Sequence, residues 1–482
     1  MTTASKTKEP FEWGPFLKGL AALAIPIAFQ NLLTTTGSMV DTIMLGRLGE
    51  REVGAVGLCS NFASLMFSCY WGFAGGGVMF ISQYWGAKDD KGINRSYGIT
   101  LSFMMTVSFI YFILATFFPW IPMRLYTDNP EIQAIGIRYL HYAGASYIFS
   151  VLSTVMSLLL RSMEKVKVPL IASIASLIAN IFLNYVLIFG KLGFPAMGIE
   201  GAALATSIAV FVNCAVIAAA CLIKKQRYIF EFSQHFKWSG AFIRLYLRRC
   251  APIIANELGI GIGLLLINIV LGRQIEPVIA AVAVFNVLQG VIIAFFGGFS
   301  SAASVLVGSK VGAGEPEVAY QRGIRLVYLS SAVVAIACAV IFALHRPILT
   351  AMGLSGQSYW YAKYMFLIYS CVAVVRLGNW THNDMYRSAG DSAYGSILEL
   401  SFMFGMVVPA VYLSNYLFKA PFLVVFYCMF CDEPIRYILM QVHLYSGKWI
   451  KPVSEEGKKA LPAFQKAHGI KVKEGKKAVK SN

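Results

Sequence analysis

Long apolar runs, separated by short segments rich in glycine, proline and charge, occupy almost the whole chain. Most of these runs exceed the roughly 20 residues that an α-helix needs to cross the hydrocarbon core of a bilayer. The pattern therefore predicts an all-α polytopic membrane protein with twelve spanning helices. Their expected positions are 18–45, 53–81, 97–119, 132–158, 166–189, 201–223, 246–271, 277–307, 323–344, 360–385, 393–416 and 420–445.

Composition favours the same class of protein. Of the 482 residues, 57% are hydrophobic and 13% are charged, whereas about a quarter of the residues of a soluble protein are charged. The nine cysteines lie mostly in apolar runs, so we interpret them as small apolar residues rather than as a metal or redox site. No H-E-x-x-H, G-x-S-x-G or Walker A pattern occurs, so we expect neither an enzyme nor an organic cofactor.

The net charge of +17 is concentrated in particular loops. The segment 224–249 carries seven lysines and arginines and the tail 446–482 carries ten lysines, while alternate loops carry far fewer. This is the positive-inside pattern, which places both termini in the cytoplasm and the protein in the inner membrane. We interpret the tail as a solvated segment near anionic lipid. A nucleic-acid partner is not expected.

The two halves of the chain resemble each other at a constant offset of 226 residues. The matching pairs are Pro26 and Pro252, Leu45-Gly46-Arg47 and Leu271-Gly272-Arg273, Gly86-Ala87 and Gly312-Ala313, and Arg161-Ser162 and Arg387-Ser388. A single offset over so many positions indicates the duplication of a six-helix unit. An even number of helices leaves both copies in the same orientation, so we predict a pseudo-two-fold axis along the membrane normal.

This repeat predicts four parts of the chain. They are an N-terminal six-helix lobe (1–223), a basic cytoplasmic linker (224–245), a C-terminal six-helix lobe (246–445) and a basic cytoplasmic tail (446–482). A pathway between two such lobes can open to either side of the membrane when the lobes rock against each other, which is alternating access.

The first span contains a carboxylate. Asp41 follows Gln30, Thr34 and Ser38 at spacings that keep all four on one helical face. A carboxylate in lipid costs a few kcal/mol, so we expect this face to look into protein or a water-filled cavity. The alternative is that Asp41 is merely solvated at the outer interface, because Arg47 lies little more than a turn away.

Further polar residues occur in the fifth and sixth spans. Asn180 and Asn184 lie one turn apart, and Thr206 lies in the sixth span. Together with Asp41, their carboxylate, amide and hydroxyl oxygens suit a hard monovalent cation or a proton. The alternative is ordinary hydrogen bonding between helices.

The second lobe carries its own charges. Glu257 follows Pro252 by five residues and, at the repeat offset, matches Asn31 rather than Asp41. We assign Glu257 to a substrate cleft, with an interhelical polar contact as the alternative. The residues assigned to that cleft are Gln30, Thr34, Ser38, Glu257 and Gln289.

The remaining charges in the second lobe are interpreted as structural. We expect Arg376 to pair with Glu257 or Glu399. The residues interpreted as interfacial, near the cytoplasmic end, are Asp384, Arg387 and Asp391. The last span is interrupted by Asp432-Glu433-Pro434, and we predict a local i,i+3 or i,i+4 pair with Arg436.

Several segments resemble the multidrug and toxic compound extrusion (MATE) family. Those of the first half are PIAFQNLLTTTGSMVDTIMLGRLGEREVGAVG, QYWGAKDD and LLLRSMEKVKVPLIASIASLIANIFLNYVLIFGKLGFPAMGIEGAALATSIA, and those of the second are PIIANELGIGIG and VGSKVGAGEPEVA. The resemblance covers nearly the whole chain except the tail. It implies two six-helix lobes, a central cleft, and antiport of organic cations against sodium or protons.

The resemblance also implies roles for particular residues. Asp41 matches the first-helix carboxylate to which cation coupling is generally assigned, with Asn180, Asn184 and Thr206 as its polar neighbours. Glu257 matches the second-lobe acid of the NorM-type branch. Two positions depart from the family, since many members carry Asp at the position of Asn184, and NorM-type members carry an acid at the position of Arg376.

We therefore predict a monomeric, cation-coupled antiporter that exports amphipathic, often cationic small molecules by alternating access. The coupling ion is sodium or a proton, and sodium would bind at the four coupling residues. The 34 Phe, 24 Tyr and 8 Trp supply rings for a polyaromatic cleft. One alternative is a flippase of lipid-linked oligosaccharide. A more basic cleft is expected for such a flippase, and only Arg376 suggests one. The other is a non-transporting channel or receptor.

Overall fold

The computed structural model describes residues 11–470, and in this range the chain forms helices and no strand. Within residues 11–470, eleven helices are long and apolar enough to cross a membrane. The twelfth span is broken into two helical segments by residues 429–432. The spans are α1 Trp13–Leu45, α2 Glu50–Gly86, α3 Asp90–Phe117, α4 Pro130–Ser162, α5 Lys167–Phe189, α6 Ile199–Ile223, α7 Gly240–Leu271, α8 Glu276–Gly312, α9 Pro316–Ala343, α10 Gly356–Ser388, α11 Ser392–Leu417, and α12 as Phe422–Cys428 and Glu433–Ser446. The predicted fold class is confirmed.

Most helices extend beyond the predicted apolar windows. For example, α2 ends at Gly86 rather than residue 81, and α10 ends at Ser388 rather than residue 385. Backbone hydrogen bonding continues past the point at which side chains become polar, so hydropathy underestimates helix length. In α12 the break ends at the polar residues Asp432 and Glu433. Pro434 lies in the first turn of the second segment, where the backbone nitrogen has no hydrogen-bond acceptor within the helix and proline is therefore tolerated.

The pseudo-two-fold relation is visible in close contacts between the lobes. Gly72 on α2 approaches Ile254 on α7 so closely that a Cβ at Gly72 would lie 2.7 Å from the Ile254 Cα. The repeat partner of Gly72, Gly298 on α8, approaches Ala28 on α1 in the same way, with a corresponding distance of 2.6 Å. Since Ala28 and Ile254 are also 226 residues apart, the two contacts are copies of one another.

A second pair of contacts joins the ends of α2 and α8, which we call the crossing end of the bundle. A Cβ at Gly86 would lie 1.8 Å from the backbone oxygen of Ser309, and one at Gly312 would lie 1.9 Å from that of Gln83. These contacts again exchange under the offset of 226. Only glycine permits such backbone approach, so the repeat has kept glycine where the two lobes touch.

The segment after α12 is packed rather than solvated, which corrects the interpretation of the tail. Trp449 is fully buried, and its indole nitrogen donates to the backbone oxygen of Leu444 at 2.9 Å. The backbone nitrogen of Val453 donates to Gln83 Oε1 at 2.7 Å. Helix α13, Glu455–Ala467, follows and buries Phe464. Apolar residues placed between the lysines explain this packing, whereas residues 471–482 lie outside the described part of the chain.

We expect Gly86→Ala to destabilise the closed crossing end, because the added methyl group overlaps a backbone oxygen that no side-chain rotation can move. Overpacking of this kind typically costs about 1–3 kcal/mol. The measurement is the thermal midpoint of the detergent-solubilised protein, followed by size-exclusion chromatography. Gly290→Ala on α8 is the control, since a Cβ there meets nothing within 4 Å. Equal midpoints for the two variants would contradict the expectation.

Candidate transport cavity and cation site

A cavity of about 330 Å³ lies between the two lobes. Most of its lining side chains carry a hydroxyl, amide or charged group, and its one aromatic residue is Trp71. The expectation of a polyaromatic cleft is therefore wrong for this cavity, because the aromatic residues lie mainly in packed clusters and on the outer surface. The polar lining residues are Gln30, Asn31, Thr34, Ser153, Thr154, Ser157, Arg161, Ser162, Ser173, Asn213, Ser301, Ser304, Asp384, Arg387 and Ser388.

A second cavity, of about 350 Å³, contains Asp41. The two cavities adjoin, because five residues line both of them. These shared residues are Thr34, Ser153, Thr154, Ser173 and Asn213. A path lined by polar side chains therefore runs from the space between the lobes to the carboxylate of the first span.

Asp41 contacts the two asparagines of α5. The Asn184 amide nitrogen donates to Asp41 Oδ1 at 2.5 Å and lies 3.2 Å from Asn180 Oδ1. Asn184 is fully buried, and its own amide oxygen has no hydrogen-bond partner among the described residues. The helices approach closely here because Gly37 of α1 faces Leu177 of α5, and a Cβ at Gly37 would lie 3.2 Å from that leucine.

The other residues proposed for the first lobe lie around this cluster. Thr206 lines the same cavity as Asp41 and Asn180. The Thr34 hydroxyl donates to the backbone oxygen of Gln30 at 3.0 Å, one turn earlier, which satisfies its donor within the helix. Ser38 likewise donates within α1, to Thr35, and lines the Asp41 cavity.

In the second lobe, Glu257 lies behind the cavity rather than in its lining. Arg387 donates through Nη1 to Glu257 at 3.1 Å and through Nη2 to Asn256 Oδ1 at 2.7 Å. Asp384 lines the cavity and accepts from the Ser300 hydroxyl at 2.6 Å. The interpretation of Asp384 and Arg387 as interfacial is wrong, since both line the cavity between the lobes. Asp384 lies within the predicted window, and α10 continues past that window to carry Arg387.

Arg376 pairs with neither of its expected partners. Its Nε lies 3.7 Å from Glu433 Oε1, and its guanidinium lies 5.0 Å from the ring centre of Phe430. The break in α12 brings Glu433 to this position. Glu399 is occupied instead by amide groups and by Arg436, at 3.4 Å.

The local pairing predicted in α12 is confirmed. Arg436 lies 2.7 Å from Glu433 and 3.4 Å from Asp432, which are the i,i+3 and i,i+4 partners. Asp391, in the turn after α10, lies 3.0 Å from His443 and 2.8 Å from Lys451. Burial raises the pKa of Asp391, but the hydrogen bonds from His443 and Lys451 lower it by a larger amount. The pKa of Asp391 therefore lies below the ordinary value of an aspartate.

Some cavity residues were not predicted, and one predicted residue lies elsewhere. Gln289, on α8, is half-buried and is not among the lining residues of either cavity. Arg161 and Trp71 line the central cavity but carried no sequence signal of their own beyond the repeat match of Arg161 with Arg387.

Comparison with known proteins identifies the family. Residues 26–186 and 252–413 match the MatE family model, so the chain belongs to the multidrug and toxic compound extrusion family. The two matched ranges correspond to the two copies of the internal repeat.

Individual relatives agree with this result. A probable multidrug resistance protein, YoeA, from Bacillus subtilis (strain 168) is 24% identical over 426 residues, which are 86% of this chain and 90% of that protein. A probable multidrug resistance protein NorM from Thermotoga maritima is 25% identical over 440 residues, covering 90% and 93%. The crystal structure of a mutant of the Vibrio cholerae MATE transporter VcmN superposes with a TM-score of 0.81 at 15% identity, covering 93% of this chain and 98% of that one. Members of the family are transporters rather than enzymes.

We expect Arg436→Met to lower the thermal midpoint and the yield of folded protein strongly. Arg436 is 4% exposed and forms ion pairs with three buried carboxylates, and the loss of one partner from a buried ion pair typically costs about 3–5 kcal/mol. Arg138→Met is the control, because Arg138 pairs with Glu200 at an exposed position where ion pairs contribute little. A loss no larger than that of the control would contradict a structural role for Arg436.

Proposed function

We propose that the protein is a sodium- or proton-coupled antiporter that exports amphipathic, often cationic small molecules by alternating access. The observation that carries the proposal is the continuity between two polar cavities. One lies between the lobes, and the other contains Asp41 hydrogen-bonded to Asn184. Guest and coupling ion can therefore occupy connected sites within one protein.

The cation would bind at Asp41. A single sodium ion or proton neutralises its carboxylate, and oxygen ligands for sodium are available from Asn180, Asn184 and Thr206. The amide oxygen of Asn184 has no partner among the described residues, and rotation of that amide group would direct the oxygen towards the carboxylate. Neutralisation would weaken the contact between α1 and α5, and we propose that this change alters the position of α1 against the cavity.

Alternating access would require the crossing end to open. In the structure the Gln83 amide joins α2 to the backbone oxygen of Ser388 on α10 at 2.7 Å, and the two glycine contacts close the same end. We propose that this end is cytoplasmic, because the basic linker 224–245 and the described part of the tail, residues 446–470, adjoin it. The lobes would be residues 1–223 and 246–445, in a monomer of the bacterial inner membrane with both termini cytoplasmic.

The size of the cavity argues against the flippase alternative. A volume of about 330 Å³ suits a drug-sized guest, and an oligosaccharide is larger. Arg376, which suggested a basic cleft, is paired with Glu433 and does not line the cavity.

We expect Asp41→Asn to abolish gradient-driven efflux while leaving the protein folded, because the change removes a half-buried charge but keeps the size of the side chain. Efflux of an aromatic amine from proteoliposomes should be measured under separately imposed sodium and proton gradients. The gradient that drives wild-type efflux identifies the coupling ion. Undiminished efflux by the folded variant would refute the proposed site.

We expect Asn184→Asp to make transport more dependent on pH than in the wild type. The new carboxylate would lie next to Asp41, and two like charges this close do not both stay ionised, so the variant should hold an additional proton at low pH. Transport assayed between about pH 5.5 and 8.5 at fixed sodium tests this expectation. Superimposable profiles would place residue 184 outside the coupling cluster.

A further inference from the structure

Two arginines line the central cavity, one from each lobe. Arg161 lies at the end of α4 and Arg387 at the end of α10, and they are separated by the repeat offset of 226 residues. The duplication thus placed one guanidinium group in each wall of the cavity, near the crossing end.

The two arginines have different surroundings. Arg387 is neutralised by Glu257 at 3.1 Å and donates also to Asn256, while the carboxylate of Asp384 lies one turn away on α10. Arg161 donates only through Nε, to Gln30 Oε1 at 3.1 Å. Among the described residues, no carboxylate lies within ion-pair distance of Arg161, and its Nη nitrogens form no hydrogen bond.

The repeat shows why Arg161 lacks a counter-ion. The residue of the first lobe that corresponds to Asn256 is Gln30, which keeps the amide contact. The position of Glu257 is taken by Asn31, whose amide instead donates to the backbone oxygen of Ala294 at 3.1 Å. The position of Asp384 is taken by Leu158. Both acidic partners are therefore missing from the first lobe.

We propose that Arg161 is an anion-binding subsite, and that the preferred guests are small zwitterions that carry a carboxylate or phosphate together with an amine. An unpaired charge in a low-dielectric cavity is costly, and a planar guanidinium can bind a carboxylate through two parallel hydrogen bonds. On the side of the second lobe, Glu257 behind the cavity neutralises Arg387, so the lining carboxylate of Asp384 leaves an excess of one negative charge that can bind the amine. Trp71 can contact the apolar body of the guest. The proposal rests on the proposed function, because it names the guests of the same cavity.

The test uses a pair of probes that differ in one group. At neutral pH, 4-(piperazin-1-yl)benzoate is a zwitterion, and its methyl ester keeps the ring and the ammonium group without the carboxylate. Calorimetric binding to the detergent-solubilised full chain should be about tenfold tighter for the acid, a difference of about 1.4 kcal/mol. In Arg161→Gln the two affinities should become equal, and Arg161→Lys should restore part of the preference. Equal affinities in the wild type, or an unchanged preference in folded Arg161→Gln, would overturn the proposal.

A second set of variants leaves Arg161 in place. Asn31→Glu supplies the carboxylate that the second lobe has at the same repeat position, so it should pair with Arg161 and remove the preference for the acid. Asn31→Gln has the same length without the charge, and the comparison of the two isolates the effect of that charge. Asp384→Asn should weaken both probes by a similar factor, because both carry the amine. Retention of the acid preference by Asn31→Glu, or unchanged binding in Asp384→Asn, would contradict the assignment.

The same probes separate this inference from the proposed function. Binding is measured without a gradient, whereas antiport is measured as efflux of each probe from proteoliposomes under a sodium or proton gradient. Gradient-driven efflux of the ester without any preference for the acid would overturn the zwitterion inference and leave the antiporter standing. A preference for the acid without gradient-driven efflux of either probe would overturn the antiporter and support the anion subsite.

Discussion

The cost of an unpaired charge in the membrane controls the arrangement of these helices. A charged side chain in the hydrocarbon region costs at least a few kcal/mol. Several charged side chains within the spans accordingly contact polar partners on neighbouring helices. Arg436 forms ion pairs with carboxylates of α11 and α12, Arg387 neutralises Glu257, and Asp41 accepts from Asn184. These contacts fix the rotation of each helix, which apolar packing alone would leave weakly specified because lipid and protein interior are similarly apolar.

Duplication gave both lobes the same scaffold, and divergence then placed their charges differently. The close glycine contacts survive as symmetric pairs, since any added side chain would separate the lobes. The acidic positions do not survive in this way. Asp41 of the first lobe corresponds to Ile267, which is 2% exposed, whereas Glu257 of the second lobe corresponds to Asn31. The lobe that carries the candidate coupling carboxylate is therefore also the lobe whose cavity arginine, Arg161, has no acidic partner in the described part of the chain.

The fold could be predicted from the sequence because hydropathy and the repeat offset are local, additive signals. The grouping of Asp41 with Asn184 could also be anticipated, from helical spacing and family resemblance. The partner of Arg376 could not, because it depends on a break in α12 that moves Glu433 towards α10. Arg387 was misplaced for a related reason, since hydropathy ends α10 before the turn that carries this residue into the cavity. Asp384 lies within the predicted window, but its position between the lobes depends on how α10 packs against the first lobe. The packing of Trp449 depends on Gly323 of α9 and Tyr386 of α10, which are distant from it in sequence.

Helix α1 links the candidate guest site with the candidate cation site, since Gln30 holds Arg161 and Asp41 lies eleven residues further along. A rise of 1.5 Å per residue separates these positions by roughly 16 Å. At an effective dielectric constant of about 20, two unit charges at that distance interact by only about 1 kcal/mol, or about fivefold in affinity. The direct field of the bound cation is thus at the lower end of what coupling between two sites typically requires. Tighter coupling must be mechanical, through a change in how α1 packs against α5 and α8, the helices that it contacts on either side of the cavity.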